Sequence, residues 1–146
     1  MSVEENKAIA RRFFKEGFVN PDILDEIVAD DYVEYGQEEG GLETLKQHIA
    51  KHSIGLPDWR WVVDDIIAEG DKVVVCWKAS ATQTGDWWGI PPTDKKVEWA
   101  GMSSLRIADG KIAEQRVHWS ALWFHQQLGT IPPWDEIVKQ AQIKQA

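Results

Sequence analysis

Four polar residues near the end of the chain, Glu114, Arg116, His118 and Ser120, alternate with Gln115, Val117 and Trp119. In an extended strand that spacing sends all four side chains to one face. A carboxylate, a guanidinium, an imidazole and a hydroxyl are groups from which acid–base chemistry is built. Imidazole titrates near neutral pH, and a nearby cation can stabilise a developing anion. Their partners follow from Asp109-Gly110, a hairpin signal of the type I′ kind. Pairing through that turn, with no bulge, sets Ile107 opposite Ile112, Leu105 opposite Glu114, Ser103 opposite Arg116, Gly101 opposite His118 and Trp99 opposite Ser120. Ser103 and Trp99 thus join a face on which a few polar groups stand among apolar ones, as in a ligand pocket. The competing reading is structural: Glu114 and Arg116 form an ion pair, and His118 donates to a backbone carbonyl.

Tryptophan is the second unusual feature, with nine residues against four phenylalanines. An indole is bulky, and its N–H wants a partner when buried. Trp87-Trp88 falls in a loop from Asp86 to Lys96 rich in glycine and proline, where it can rim a planar ligand or pack at a subunit interface. His48 and His52 stand four apart on a helix, a spacing that can chelate metal, but a third ligand is not signalled, and a solvated helix face is the better reading. No phosphate-binding loop, nucleophile elbow or Cys-His pair at useful spacing is present, so nucleotide and acyl-enzyme chemistry lack support.

The elements that must position these residues can be read from periodicity. Ser2 and Glu5 have capping-box spacing, and Ile9, Phe13, Phe14 and Phe18 fall along one arc of a first helix. Asn20-Pro21 caps a second, short helix carrying Ile23, Leu24, Ile27 and Val28. Asp30 to Tyr35 reads as a short strand, and Leu42, Leu45 and Ile49 as a third helix running to about Ser53. Strand-like runs follow over Trp59 to Ala68, Lys72 to Thr82, Lys96 to Ala108 and Lys111 to Leu122. Leu122 to Leu128 reads as a helical turn closed by Gly129, followed by a polar tail from about residue 135 that reads as either a short helix or a frayed end. Three helices followed by an antiparallel sheet make an α+β domain, with helices over one face of a curved sheet.

The arithmetic of the chain narrows the function classes. At 146 residues with no linker-like composition shift, one domain spanning 1–146 is expected. Its 24 acidic and 16 basic residues give a net charge of −8, which repels nucleic acid and anionic membrane surfaces. The single cysteine, Cys76, excludes an internal disulfide and fits a reducing, cytoplasmic setting. No apolar run approaches the roughly 20 residues of a membrane span.

An ordered set of motifs carries a family resemblance: Ile67-Ala68-Glu69-Gly70-Asp71-Lys72-Val73-Val74-Val75, then Thr82-Gln83-Thr84-Gly85, Gly89-Ile90-Pro91-Pro92-Thr93, Arg106-Ile107-Ala108-Asp109-Gly110-Lys111-Ile112-Ala113-Glu114, and Gln126-Gln127-Leu128-Gly129. From the first helix to about Gly129 the chain resembles the SnoaL-like polyketide cyclases, within the nuclear transport factor 2-like superfamily. The resemblance implies a cone-shaped curved antiparallel sheet with three N-terminal helices enclosing an apolar cavity, assembled as a homodimer or tetramer. It implies ring closure by intramolecular aldol condensation of a small hydrophobic molecule, without metal or cofactor. An aspartate before the Gln-Gln-Leu-Gly motif acts as base in such proteins. Ser120 stands at that position here, and Tyr35 and Gln83 stand where histidines are frequent.

Three functions are consistent with this pattern. The first is carbon-acid chemistry with a relocated base. His118 lies about 6.7 Å along the strand from Ser120. Arg116 would stabilise an enolate and Tyr35 would donate to it. Ser120, Gln83 and Trp99 would orient a ligand also touched by Glu114, Ser103, Trp77, Trp87 and Trp88. The second is a binding protein without catalysis. The third is epoxide hydrolysis, which wants a carboxylate and arginine cluster such as Glu114 and Arg116.

Overall fold

The computed structural model describes residues 2–36 and 40–146. Helix α1 (Val3–Arg12) starts at the capping box: Ser2 Oγ accepts from Glu5 N–H at 3.1 Å while the Glu5 carboxylate accepts from Ser2 N–H at 2.7 Å. It runs into a π-helical turn, Phe13–Gly17, which buries Phe13 and Phe14. Asn20 caps a 3₁₀ turn (Pro21–Ile23) that leads into the four-residue α2 (Leu24–Ile27). Val28, expected at the end of that helix, instead opens strand β1 (Val28–Tyr35). Helix α3 (Leu42–Gly55) then precedes β2 (Arg60–Glu69), β3 (Lys72–Thr82), β4 (Lys96–Ala108) and β5 (Lys111–Trp119). Two helices close the chain, α4 (Ala121–Leu128) and α5 (Trp134–Gln145).

The strands form one curved sheet in the order β1-β5-β4-β3-β2. The four later strands are antiparallel neighbours, as their turns require, whereas β1 adds to β5 in parallel. Helix α1 packs on β2 and β3, α3 on β1, and α4 on β4. This is the expected α+β cone, with one parallel edge that the alternation of polar and apolar residues does not reveal. The polar tail, read as a short helix or a frayed end, is helical in α5, and none of its residues is buried.

The β4–β5 hairpin turns as anticipated: Asp109 and Gly110 both have positive φ, 51° and 76°, the pair of values a type I′ turn demands. The register beyond it does not follow expectation. Ile107 pairs with Ile112, but Arg106 pairs with Glu114, so two steps on β5 match one on β4 and Ala113 is the extra residue of a β-bulge. Every later partner shifts by one: Leu105 faces Gln115, Ser104 faces Arg116, Ser103 faces Val117, Met102 faces His118 and Gly101 faces Trp119. Because side-chain direction has a period of two, one inserted residue exchanges the two faces of β5. Gln115, Val117 and Trp119 turn inward, and Glu114, Arg116 and His118 turn out.

Candidate ligand cavity

The inner face of the sheet, α3, α4 and the first helical segment enclose a cavity of about 360 Å³. Seven of the nine tryptophans line it (Trp59, Trp61, Trp77, Trp87, Trp88, Trp99 and Trp119), while Trp123 and Trp134 are exposed. Large and small residues alternate across the strands, which makes room for the indoles. Ala79 stands between Trp61 and Trp99, and Gly101 between Trp77 and Trp119. A Cβ on Gly101 would run into the Trp77 ring. Trp77 is fixed at its polar end, where Nε1–H donates to Ser103 Oγ at 3.0 Å.

Several predicted residues line this space: Trp77, Trp87, Trp88, Trp99 and Ser103. The rest lie elsewhere. Arg116 and His118 are exposed on the outer face, and the Arg116 guanidinium lies 4.4 Å from the centre of the Tyr35 ring. Glu114 pairs with Arg106 at 3.1 Å rather than with Arg116, and that guanidinium holds its carboxyl below the usual range. Ser120 does not continue β5. It is the residue before α4, and its Oγ accepts the Ala100 N–H at 3.0 Å, which ties it to the first half of β4.

Gln83 is wholly buried, but its amide is spent on the backbone. Nε2 donates to the carbonyls of Gly85, Ile90 and Pro91, and Oε1 accepts from the N–H and hydroxyl of Thr93. It staples the loop that carries Trp87 and Trp88 to the cavity. Trp88 in that loop has φ 47°, a conformation uncommon for a bulky residue and found where surrounding contacts impose it.

Sequence reasoning gave no ligand-facing role to five polar residues that do face the cavity: Glu34, His48, His52, Gln115 and His125. The parallel pairing of Glu34 with Gln115 puts both on the inner face. Buried Tyr32 donates to Glu34 Oε2 at 3.0 Å. Burial, and next the charge of Glu34, raise the Tyr32 pKa above its ordinary value, so the phenol stays a donor. His48 and His52, read as a solvated face, turn toward the cavity instead. His52 stacks on Trp59 with centroids 4.9 Å apart and accepts at Nδ1 from Trp87 Nε1–H at 3.3 Å. Burial, helped by His48, pushes its pKa down to about 3. His125 is lowered too, by burial, and its Nδ1 lies 2.8 Å from Thr130 Oγ1.

Two polar atoms of the cavity wall, Trp61 Nε1 and Gln115 Oε1, are buried with no hydrogen-bond partner among the described residues. Each such atom costs about 1–3 kcal/mol, a cost that a ligand offering an acceptor to the indole and a donor to the amide would offset. No group of three or more metal-ligating side chains gathers among the described residues. No helix of the described residues is long and apolar enough to cross a membrane.

Known proteins agree with this architecture. AclR from Streptomyces galilaeus, a candidate hydroxylase, superposes with a TM-score of 0.83 at 25% identity, over 98% of this chain and 92% of its own. A candidate SnoaL-like polyketide cyclase from Jannaschia sp. CCS1 gives 0.80 at 24% identity, over 88% and 94%. IdmH from Streptomyces antibioticus, a candidate polyketide cyclase, gives 0.75 at 23% identity, over 85% and 98%. Identities this low speak for the fold alone. No curated protein matches the chain. The model of the SnoaL-like polyketide cyclases matches residues 8–128, from α1 to the end of α4. With that match across most of its length, and with the cone and cavity described above, the chain belongs to the SnoaL-like polyketide cyclase family.

Proposed function

We propose that this protein binds a small, flat, oxygenated molecule in the tryptophan cavity and moves a proton on a carbon beside a carbonyl, in ring closure or isomerisation. The observation that carries this reading is the company Glu34 keeps: a carboxylate in an aromatic cavity that also holds an unpartnered donor and acceptor. Glu34 takes the proton from the carbon acid, and Trp61 Nε1–H is the donor available to the resulting enolate oxygen. In ring closure the enolate carbon bonds to a second carbonyl carbon, and the alkoxide formed there recovers the proton from Glu34. The atoms balance without a redox partner. Tyr32 aims the carboxylate through its 3.0 Å bond. Neutral His52 serves as a donor through Nε2–H, since Nδ1 accepts from Trp87. The base is thus relocated from the position of Ser120, though to Glu34 rather than His118.

A second reading, ligand binding without catalysis, is favoured by one observation. Ser120, at the position where the family resemblance expects the base, has its hydroxyl engaged by the Ala100 N–H. Epoxide hydrolysis loses ground, because Glu114 and Arg116 lie outside the cavity. The homo-oligomer that the resemblance implies is in keeping with Val62, Ile67 and Met102 exposed on the outer face of the sheet.

The test is hydrogen–deuterium exchange at carbon, followed by NMR, for cyclic and aromatic β-keto esters whose binding is read by tryptophan fluorescence. Exchange with wild type that is lost in Glu34→Gln, with binding kept, supports the proposal. Exchange that survives in Glu34→Gln places the base elsewhere. Bound compounds that never exchange leave the binding protein as the better account.

A further inference from the structure

Two glutamines are buried among the described residues, and they are used differently. Gln83 spends its amide on the backbone and on Thr93. Gln115, only 5% exposed on the inner face of β5, lines the cavity, and its Oε1 has no hydrogen-bond partner among the described residues. A buried acceptor left unpaired is a standing cost that an apolar side chain of similar size would not carry. The next residues on that face of β5 are Val117 and Trp119, so an apolar side chain would suit the strand as well.

The neighbours of Gln115 narrow what its amide is for. Glu34, its Cα partner on β1, stands one strand spacing away, roughly 4.8 Å. On β4 the direct partner is Leu105, and Ser103, two residues along, is the diagonal neighbour on the same face, roughly 7–8 Å distant. Ser103 is buried and lines the cavity too. Its Oγ accepts from Trp77 Nε1–H at 3.0 Å, which leaves its own O–H to donate. The last torsion of a glutamine is broad, so a modest turn of the amide presents Oε1 to a group lying between it and Ser103. This part of the wall therefore offers an acceptor and a donor side by side. A ligand carbonyl or ether only accepts, and an ammonium only donates. A hydroxyl does both.

We propose that Gln115, together with Ser103, reads a hydroxyl group of the ligand, and that the substrate class is a hydroxylated aromatic ketone whose O–H lies near the carbon that gives its proton to Glu34. The proposal rests on the ligand reading given above for the cavity. It makes Gln115 a specificity-determining residue kept against the stability of the fold. A site built to hydrogen-bond a hydroxyl rejects the analogue lacking one, because its buried polar atoms then stay unpaired.

The probes are 1-tetralone, its phenolic hydroxy isomers other than the one whose hydroxyl bonds to its own carbonyl, and their methyl ethers. Affinity is read by quenching of tryptophan fluorescence at a pH where the phenols are neutral. For wild type at least one hydroxytetralone should bind about tenfold more tightly than 1-tetralone and than its own methyl ether. In Gln115→Leu that margin should fall below about twofold, with binding of 1-tetralone kept and a urea midpoint no lower than that of wild type, since the orphaned acceptor is gone. Wild type that binds 1-tetralone as tightly as every hydroxy isomer overturns the proposal and leaves the cavity reading standing. So does a margin that survives in Gln115→Leu. A lowered midpoint or failure to fold in Gln115→Leu means that the amide serves the fold, and overturns the proposal as well. Failure of every tetralone to bind wild type counts against the cavity reading itself, and the hydroxyl site falls with it.

Discussion

Trp87 Nε1–H donates to His52 Nδ1 at 3.3 Å. An indole nitrogen only donates, so this bond requires an unprotonated Nδ1 and leaves the imidazole proton on Nε2. The imidazole is held neutral by burial and by His48, with a pKa of about 3. A neutral histidine that donates through one nitrogen is an electrophile and a positioning group rather than a base.

That shift has a stability consequence with a definite sign. In the unfolded chain the imidazole takes a proton below about pH 6.5, whereas the folded protein resists until about 3. Between those values the unfolded state binds more protons, so stability falls as pH falls. Urea unfolding at pH 7 and pH 4.5 should show a smaller loss in His52→Gln than in wild type, by about 2 kcal/mol. Equal losses would mean that His52 titrates normally in the fold.

Gln83 should matter for stability and for the shape of the cavity without touching a ligand. Gln83→Leu strands the loop carbonyls it serves and the Thr93 N–H, at a cost of about 2–4 kcal/mol. Loss of that staple frees the segment carrying Trp87 and Trp88. Urea unfolding reads the first effect, and weakened probe quenching relative to wild type reads the second. An unchanged midpoint would show that the loop is held by its apolar contacts alone.

The Ala113 bulge makes the sharpest claim about which residues face inward. Deleting Ala113 removes the extra residue and leaves Glu114 opposite Arg106 in one-to-one pairing, so Glu114, Arg116 and His118 should stay on the outer face and the protein should still fold, at a cost of about 1–3 kcal/mol in urea unfolding. His118→Ala, by contrast, removes an exposed side chain and should shift stability by no more than about 0.5 kcal/mol. Carbon-acid exchange should likewise stay within about twofold of wild type. Loss of exchange in His118→Ala would mean that β5 presents its other face.

Turns and caps are legible in the sequence because their causes are local. The capping box at Ser2, the Asn20-Pro21 cap, the Asp109-Gly110 turn and the αL Gly129 (φ 83°) that closes α4 each depend on a few adjacent residues. The bounds of β3 and β4 match those read from β-branched and aromatic runs. The tryptophans named for the cavity do line it, since large aromatics near an apolar interior have few other places to go. Reading and structure part at the faces of β5. Both faces of β5 mix polar with apolar residues, so alternation alone does not say which faces in.

From the residues themselves come the order of elements, the aromatic character of the cavity, the family motifs and the hairpin turn. Only the tertiary structure decided that β1 lies parallel to β5 and that Ala113 bulges. The first brings Glu34 to the cavity, and the second brings Gln115 there in place of Arg116 and His118. Long-range pairing and a one-residue change of register are set by the packing of the whole sheet. In a strand with a repeat of two, a single extra residue is enough to exchange the side that meets the ligand for the side that meets water.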